Sequence, residues 1–238
     1  GRIALLASLV CGMTAPVALL ADLHGPGRFY HFYIYFQPQS WMSWGSFFIP
    51  LYLGCLMLYA WLALRVDFAA RGQGQDRLAV AYRLLGRGGA ASLRAIRVAA
   101  AFTLLAAFVV GLYTGMEVMV VRARPLWFTP FLPAQFAATA FVGAVGLALL
   151  FNRFLPGREQ ALEVSLNRAL ALSLALVLAL GGGWLFVSLS GVSASHSMGF
   201  TQVAGMPQWQ FTAVWAVLSS IVPMALAISS PTGAASSK

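Results

Sequence analysis

Six long apolar segments alternate with polar connections along the 238-residue chain. Each segment approaches the roughly 20 residues that an α-helix needs to cross the hydrocarbon core of a bilayer. We therefore predict an all-α integral membrane protein, a polytopic transmembrane helix bundle that forms a single domain over residues 1–238. The predicted spans are 3–21, 44–64, 98–121, 133–151, 169–189 and 211–228.

Prolines and glycines inside these segments mark expected irregularities. Pro16, Pro50 and Pro223 lie within predicted spans, where neighbouring helices can satisfy the carbonyl groups that a proline leaves without a donor. The fifth span carries three consecutive glycines, 181–183, which weaken its helical signal. We expect kinks at the prolines, and the fifth span is the most ambiguous of the six.

Arginine divides the connections into two groups. With both chain ends counted, one side of the membrane collects twelve of the fifteen Lys and Arg residues, mostly in 65–97 and 152–168. Arg28, Arg122 and Arg124 fall on the other side. Because cytoplasmic loops are enriched in positive residues, we predict that 65–97 is a cytoplasmic arginine-rich loop. Both ends would then face the cytoplasm of a bacterial inner membrane, and part of 75–87 favours a short amphipathic helix on the inner leaflet.

Composition supports a membrane protein and argues against other classes. The chain is 60% hydrophobic and 9% charged, too few polar residues to cover a water-soluble domain of this size. Its net charge of +9 lies mainly in the loops, so it indicates orientation and contact with membrane lipid rather than nucleic acid. Cys11 and Cys55 lie in apolar segments without metal-binding spacing, so we expect no metal site in this chain.

The connection after the first span concentrates residues that can carry chemistry. Asp22, His24, Arg28 and His31 lie at the edge of an apolar segment, and ionisable groups in that position indicate a functional site. A histidine titrates near neutrality and can donate or accept a hydrogen bond. The glycines and proline at 25–27 argue against one helix that would align these side chains. An interfacial loop with aromatic anchors is the alternative, and it is favoured for His31.

Glu117 is the second candidate, about one helical turn inside the end of the third predicted span. If the helix continued, Tyr113, Glu117 and Arg124 would fall near one face, at positions i, i+4 and i+11. An ionised carboxylate without a partner is strongly disfavoured at that depth. We expect Glu117 to be paired or to take up a proton readily, which suits a proton acceptor. A structural ion pair with Arg122 or Arg124 is a compatible alternative.

The histidine positions bear on haem. A b-type haem between helices takes axial ligands from facing spans at similar depth. His24, His31 and His196 all lie in predicted loops or at span ends on the arginine-poor side. We therefore expect no bound haem.

Two separated motifs resemble the NrfD family of polysulfide reductase membrane subunits. The first comprises Ala21-Asp22-Leu23-His24, Arg28 and Ser40-Trp41-Met42-Ser43-Trp44-Gly45. The second comprises Tyr113-Thr114-Gly115-Met116-Glu117 and Ala123-Arg124-Pro125-Leu126-Trp127. The resemblance covers about residues 10–150 of the chain, and within the family it is strongest to the membrane subunits of tetrathionate reductases.

The resemblance implies a haem-free membrane anchor that oxidises quinol, either menaquinol or ubiquinol, in anaerobic respiration. A four-cluster iron–sulfur subunit would dock on its outer face and pass electrons to a molybdopterin catalytic subunit, for an acceptor such as tetrathionate or polysulfide. The resemblance implies that Asp22, His24, Glu117 and Arg124 line or support the quinone pocket. We expect a carboxylate, Glu117 or Asp22, and His24 to receive the two protons of the quinol. The residues expected to bind or surround the quinone are Tyr113, Arg124, Trp127, Arg28 and His31.

Family members carry at least one span before the block that opens this sequence, giving eight or nine helices. We therefore expect the six spans to be part of a longer fold, with residues preceding Gly1. The first apolar segment lacks a small-residue cleavage site, so we predict a span rather than a signal peptide. Two other functions stay open: a secondary transporter, for which Pro16 and the glycines at 181–183 give weak support, and a purely structural anchor.

Overall fold

The computed structural model describes residues 2–22, 25–75, 77–154 and 160–229, without the side chain of Asp22, and every regular element within them is a helix. A 3-10 turn, Pro26–Arg28, separates the first two of the α-helices. These are α1 (Arg2–Asp22), α2 (His31–Ile34), α3 (Trp41–Arg71), α4 (Ala79–Leu85), α5 (Leu93–Met119), α6 (Phe131–Phe154), α7 (Gln160–Leu189), α8 (Ala194–Ala204) and α9 (Pro207–Ser229).

Six of these helices, α1, α3, α5, α6, α7 and α9, are long and apolar enough to cross a membrane. The predicted all-α class and the six predicted spans are confirmed, and the three prolines lie inside α1, α3 and α9 as expected. Several helices extend beyond the predicted spans. For example, α3 continues to Arg71 and α7 begins at Gln160, because helical hydrogen bonding does not stop where the apolar composition does.

The spanning helices expose large apolar side chains over much of their surface. Val10 on α1, Leu104 on α5 and Phe186 on α7 are 64%, 64% and 69% exposed. A helix that is apolar on all sides suits burial in a core or in lipid. The surface that these side chains expose is apolar enough to face lipid, as expected of a multi-pass membrane protein.

The chain divides into two compact units, Gly1–Val110 and Gly111–Lys238, so the boundary falls within α5. In the first unit, α1 packs along α3 around the buried residues Leu5, Leu56 and Leu64. An ion pair of 3.1 Å between Arg2 and Asp67 joins the exposed ends of the two helices. Exposed pairs of this kind contribute little to stability, so apolar packing holds α1 against α3.

The helix predicted within 75–87 is present as α4, which folds back onto the end of α3. The indole N–H of Trp61 donates a hydrogen bond of 2.9 Å to the carbonyl of Leu85. Arg65 donates to the carbonyl of Arg87 and lies over the Trp61 ring, 4.6 Å from its centroid. A Cβ at Gly86 would come within 2.6 Å of the α3 backbone. The connection predicted at 65–97 is therefore largely helical.

In the second unit, α6 and α7 pack side by side, and α9 packs against α7. The last turns of α5 press closely against the start of α6. A Cβ at Gly115 would lie 2.3 Å from the Cα of Pro133, and one at Gly111 would lie 3.4 Å from the Cα of Ala137. Pro133 and Ala137 are separated by one helical turn, so they define the face of α6 that meets α5.

Residues 190–210, expected to be a loop, contain α8 (Ala194–Ala204). The helix is short and only weakly apolar, so it escapes a search for spans. Ser193 precedes it in an extended conformation, the usual position of a helix N-cap. Its hydroxyl interacts with His196 Nδ1 at 2.8 Å instead of capping the backbone.

Candidate functional site

The candidate residues of the first unit lie at the end of α1 and in the short elements that follow it. Asp22 is the last residue of α1, while its side chain and the whole of His24 lie outside the described residues. Arg28 ends the 3-10 turn, His31 begins α2, and both are exposed. The interruption expected at residues 25–27 is present. The described residues therefore place His31 and Arg28 on separate short elements.

His31 lies among tyrosines. Its ring makes edge contacts with Tyr30 and Tyr35, with centroids 4.7 and 5.4 Å apart. The same segment is fixed to α3 through Tyr33, whose hydroxyl donates a hydrogen bond of 2.9 Å to the carbonyl of Ser46. Aromatic residues with one polar end favour a membrane interface, and this arrangement fits the interfacial alternative for His31.

Glu117 lies half-buried on α5, one turn from Tyr113, which is 7% exposed. The Tyr113 hydroxyl donates a hydrogen bond to the Glu117 carboxylate. The separation of four residues brings two helical side chains to the same face. A carboxylate is thereby held beside a phenol in a largely apolar stretch of helix.

The predicted alignment of Arg124 with this face is wrong, because α5 ends at Met119. Residues 120–130 form turns in which Arg124 precedes Pro125, and a residue before proline is disfavoured in helical conformation. The guanidinium carbons of Arg122 and Arg124 instead lie 5.9 and 5.6 Å from the ring centroids of Phe128 and Trp127. Where the chain is described, neither arginine forms an ion pair with Glu117.

A cavity of about 240 Å³ borders the side of α6 that faces away from α5. We call it the tryptophan cavity, after three of the residues that line it. Its lining comes from the turns at 120–130, from α6, from α7 and from the start of α9. The lining residues are Leu126, Trp127, Thr129, Phe131, Leu132, Gln135, Leu180, Gly181, Trp184 and Trp209.

Aromatic contacts and one hydrogen bond hold the walls of the tryptophan cavity. The indole N–H of Trp184 donates a bond of 3.1 Å to the carbonyl of Leu126, which ties α7 to the turns at 120–130. Trp184 also contacts Phe200 of α8 and Trp209 of α9, with centroids 6.2 and 6.0 Å apart. A Cβ at Gly183 would lie 2.8 Å from the Phe131 ring, so the ring would have to shift to accommodate a larger residue there.

Three buried side-chain atoms of this unit have no hydrogen-bond partner among the described residues: Gln135 Oε1, His196 Nε2 and Ser197 Oγ. The Oε1 atom of Gln135 is buried and accepts no hydrogen bond from the described residues. His196 is 7% exposed, and its Nδ1 atom is hydrogen-bonded to the Ser193 hydroxyl. Its Nε2 atom is buried and has no partner among the described residues. Gln135 was not among the residues predicted from the sequence. Glu117 was selected because an ionisable residue in an apolar segment is costly. An amide has no charge, so Gln135 gives no such signal in the sequence.

Metal-ligating residues do not cluster: in the described ranges, no three His, Cys, Asp or Glu side chains come together as a metal site would require. Trp127 is the one residue expected at the quinone site that lines the tryptophan cavity. The acid and histidine candidates lie elsewhere or outside the described residues.

A family model for polysulphide reductase, NrfD, matches residues 2–237 of the chain. The chain belongs to the NrfD family. Curated relatives of this NrfD chain include a tetrathionate reductase subunit of Salmonella typhimurium, which is 35% identical over 63% of this chain and 38% of the relative. A selenate reductase subunit of Mesobacillus selenatarsenatis is 27% identical over 67% of this chain and 41% of the relative. No solved structure gives a significant match.

The matches confirm the resemblance identified from the two sequence motifs, including the likeness to tetrathionate reductase membrane subunits. This NrfD chain spans about two fifths of the length of these curated relatives. The family match, the six helices and the exposed apolar surface together identify a multi-pass membrane protein of the NrfD type.

Proposed function

We propose that this chain is the membrane subunit through which a multi-subunit respiratory reductase oxidises quinol. The observation that carries the proposal is the Glu117 carboxylate, held by Tyr113 at the end of a spanning helix. Oxidation of a quinol releases two electrons and two protons, so a site in lipid needs a nearby group that accepts protons. Membership of the NrfD family supports the same role.

The mechanism assigns different tasks to this chain and to its partners. Quinol reaches the site laterally from the bilayer, between exposed apolar side chains. A carboxylate, Glu117 or alternatively Asp22, accepts one proton from the quinol, and His24 accepts the other. Both electrons leave to a partner, which this chain orients, while the redox chemistry belongs to the quinol and to that partner.

The proposed partners are an extracytoplasmic four-cluster iron–sulfur subunit and a molybdopterin catalytic subunit. The relatives named as subunits of tetrathionate and selenate reductases support an assembly of several chains. We propose tetrathionate or polysulfide as the acceptor, because the two sequence motifs resemble those of tetrathionate reductases. We propose that the arginine-rich connections face the cytoplasm, since such loops are enriched in positive residues, and that Glu117 lies near the opposite surface.

Anaerobic mixing of the purified complex with a short-tail quinol tests the proposal. We expect the visible absorbance of the oxidised iron–sulfur clusters to bleach when quinol is added, because electrons cross from this subunit to its partner. The matched control is the same complex without this chain, which should bleach with dithionite but not with quinol. Equal bleaching by quinol in both samples would contradict the proposal. A lack of bleaching when quinol is added to the intact complex would also contradict it.

A further inference from the structure

The tryptophan cavity is the feature of the second unit that the proposed function leaves unused. It lies on the face of α6 that carries Phe131 and Gln135, four residues apart. Pro133 and Ala137, which meet α5, occupy positions about 200° around the helix from Gln135, at two residues' separation on either side. Gln135 therefore points away from α5, while Glu117, two residues from Gly115, lies on the side of α5 that points away from α6. One small ring cannot contact both.

The size of the cavity favours a ring rather than an entire lipid. Its volume of about 240 Å³ lies below the roughly 300–1,000 Å³ typical of sites that enclose drug-sized ligands. One fused or substituted ring fits such a space, while a long apolar tail would extend into the surrounding bilayer. Three indoles and Phe131 form the walls, and aromatic walls favour a planar occupant through stacked or edge contacts.

The chemistry of the lining favours a neutral occupant with a polar substituent. The described residues around the cavity include no charged side chain, so an ion would enter without compensation. Gln135 lines the cavity, and its buried Oε1 atom has no donor among the described residues. An unpaired buried acceptor has a free-energy cost, which a ligand hydroxyl would remove once the amide turns towards the cavity. The same amide can turn and donate its N–H to a carbonyl, so it can serve both a quinol and a quinone.

We propose that the tryptophan cavity binds the ring of a quinol from the lipid phase, as a holding position separate from the Glu117 site. This identification of the ring rests on the proposed function. Gln135 binds a ring oxygen, and the tryptophans enclose the ring. Since Gln135 accepts no proton, the quinol is held there without being oxidised, and it must move to reach Glu117.

Gly181 and Gly182 provide a matched pair of variants. Gly181 lines the cavity, and a Cβ there meets no atom within 4 Å, so Gly181→Leu extends into open cavity space. Gly182 is exposed, and a Cβ there also meets no atom within 4 Å. Both changes replace glycine by a good helix former. Their difference therefore reports occupation of the cavity rather than helix stability.

Photolabelling tests the proposal on the intact complex in lipid nanodiscs. A short-tail quinone that carries a photoreactive group is illuminated, and the labelled peptides are identified by mass spectrometry. We expect label on peptides containing Trp127, Gln135 and Trp184, retained in Gly182→Leu and reduced in Gly181→Leu. As a second variant, Gln135→Leu should weaken labelling about tenfold, the effect of losing one hydrogen bond of about 1.4 kcal/mol.

Parallel measurement of cluster reduction separates the two proposals. If quinol reduces the clusters while the cavity peptides are unlabelled, the holding site is wrong and the proposed function stands. If the cavity is labelled but quinol reduces nothing, binding in the cavity is supported and quinol oxidation is wrong. Equal labelling of Gly181→Leu and Gly182→Leu would overturn the holding site, as would labelling by a photoreactive acyl chain in place of the ring probe.

Discussion

Two regions of the second unit differ in the polar groups that they offer. The end of α5 carries an acid, Glu117, whose carboxylate accepts a hydrogen bond from the Tyr113 hydroxyl. On the cavity side, Gln135 offers hydrogen bonds but no titration near neutral pH. Under the two proposals, one membrane protein separates the binding of a quinol from its oxidation. A neutral, aromatic cavity selects the ring, while Glu117 accepts one of the two protons that oxidation releases.

The largest expected effect comes from removing the acid. Glu117→Gln keeps the shape of the side chain but removes its ability to accept a proton. We expect kcat for quinol oxidation to fall about 100-fold or more, as is typical when a general base is lost, with assembly of the complex unchanged. Steady-state kinetics with a short-tail quinol measure this, and Glu163→Gln at the start of α7 is the matched control. Full turnover in Glu117→Gln would remove the proton-acceptor role.

The next effect tests the cavity side. Gly181→Leu should raise KM for quinol about tenfold, equivalent to about 1.4 kcal/mol of binding, while kcat stays close to the wild-type value. A holding position contributes to capture of quinol and not to its oxidation, which gives this pattern. A fall in kcat as large as that of Glu117→Gln would show that the tryptophan cavity and the Glu117 region act as one site. Gly182→Leu should leave both constants unchanged.

A third change tests whether α5 must press against α6. Gly115→Ala places a Cβ 2.3 Å from the Cα of Pro133, so the helices must separate. We expect a loss of about 1–3 kcal/mol in stability, the usual cost of overpacking. Thermal unfolding followed by circular dichroism in detergent measures it. Gly146→Ala on α6, where a Cβ meets nothing within 4 Å, should leave the melting temperature unchanged or raise it.

The smallest effect concerns support of the carboxylate. Tyr113→Phe removes the hydroxyl that donates to Glu117 and keeps the ring. Side-chain hydrogen bonds within membranes contribute about 0.6 kcal/mol on average, so kcat should fall about threefold. The same kinetic assay detects this, and an unchanged kcat would show that Glu117 acts without its neighbour.

Much of the fold follows from apolar segment length, because every spanning helix must satisfy its own backbone hydrogen bonds. Glu117 was predicted from its cost in an apolar helix. Arg124 was misplaced because a periodic pattern does not report where Met119 ends the helix. Gln135 and Gly181 could not be selected, since they meet only through the packing of α6 and α7. The glycines at 181–183 looked like weak helix, whereas Gly181 borders a cavity and Gly183 accommodates Phe131.

The guanidinium carbons of Arg122 and Arg124 lie 5.9 and 5.6 Å from the ring centroids of Phe128 and Trp127. At that distance an aromatic ring attracts a cation through its electron-rich face, without using the N–H groups as hydrogen-bond donors to a carboxylate. Among the described residues neither arginine is joined to an acid. Both cations of this turn therefore keep N–H donors for a carboxylate or phosphate group supplied by another molecule.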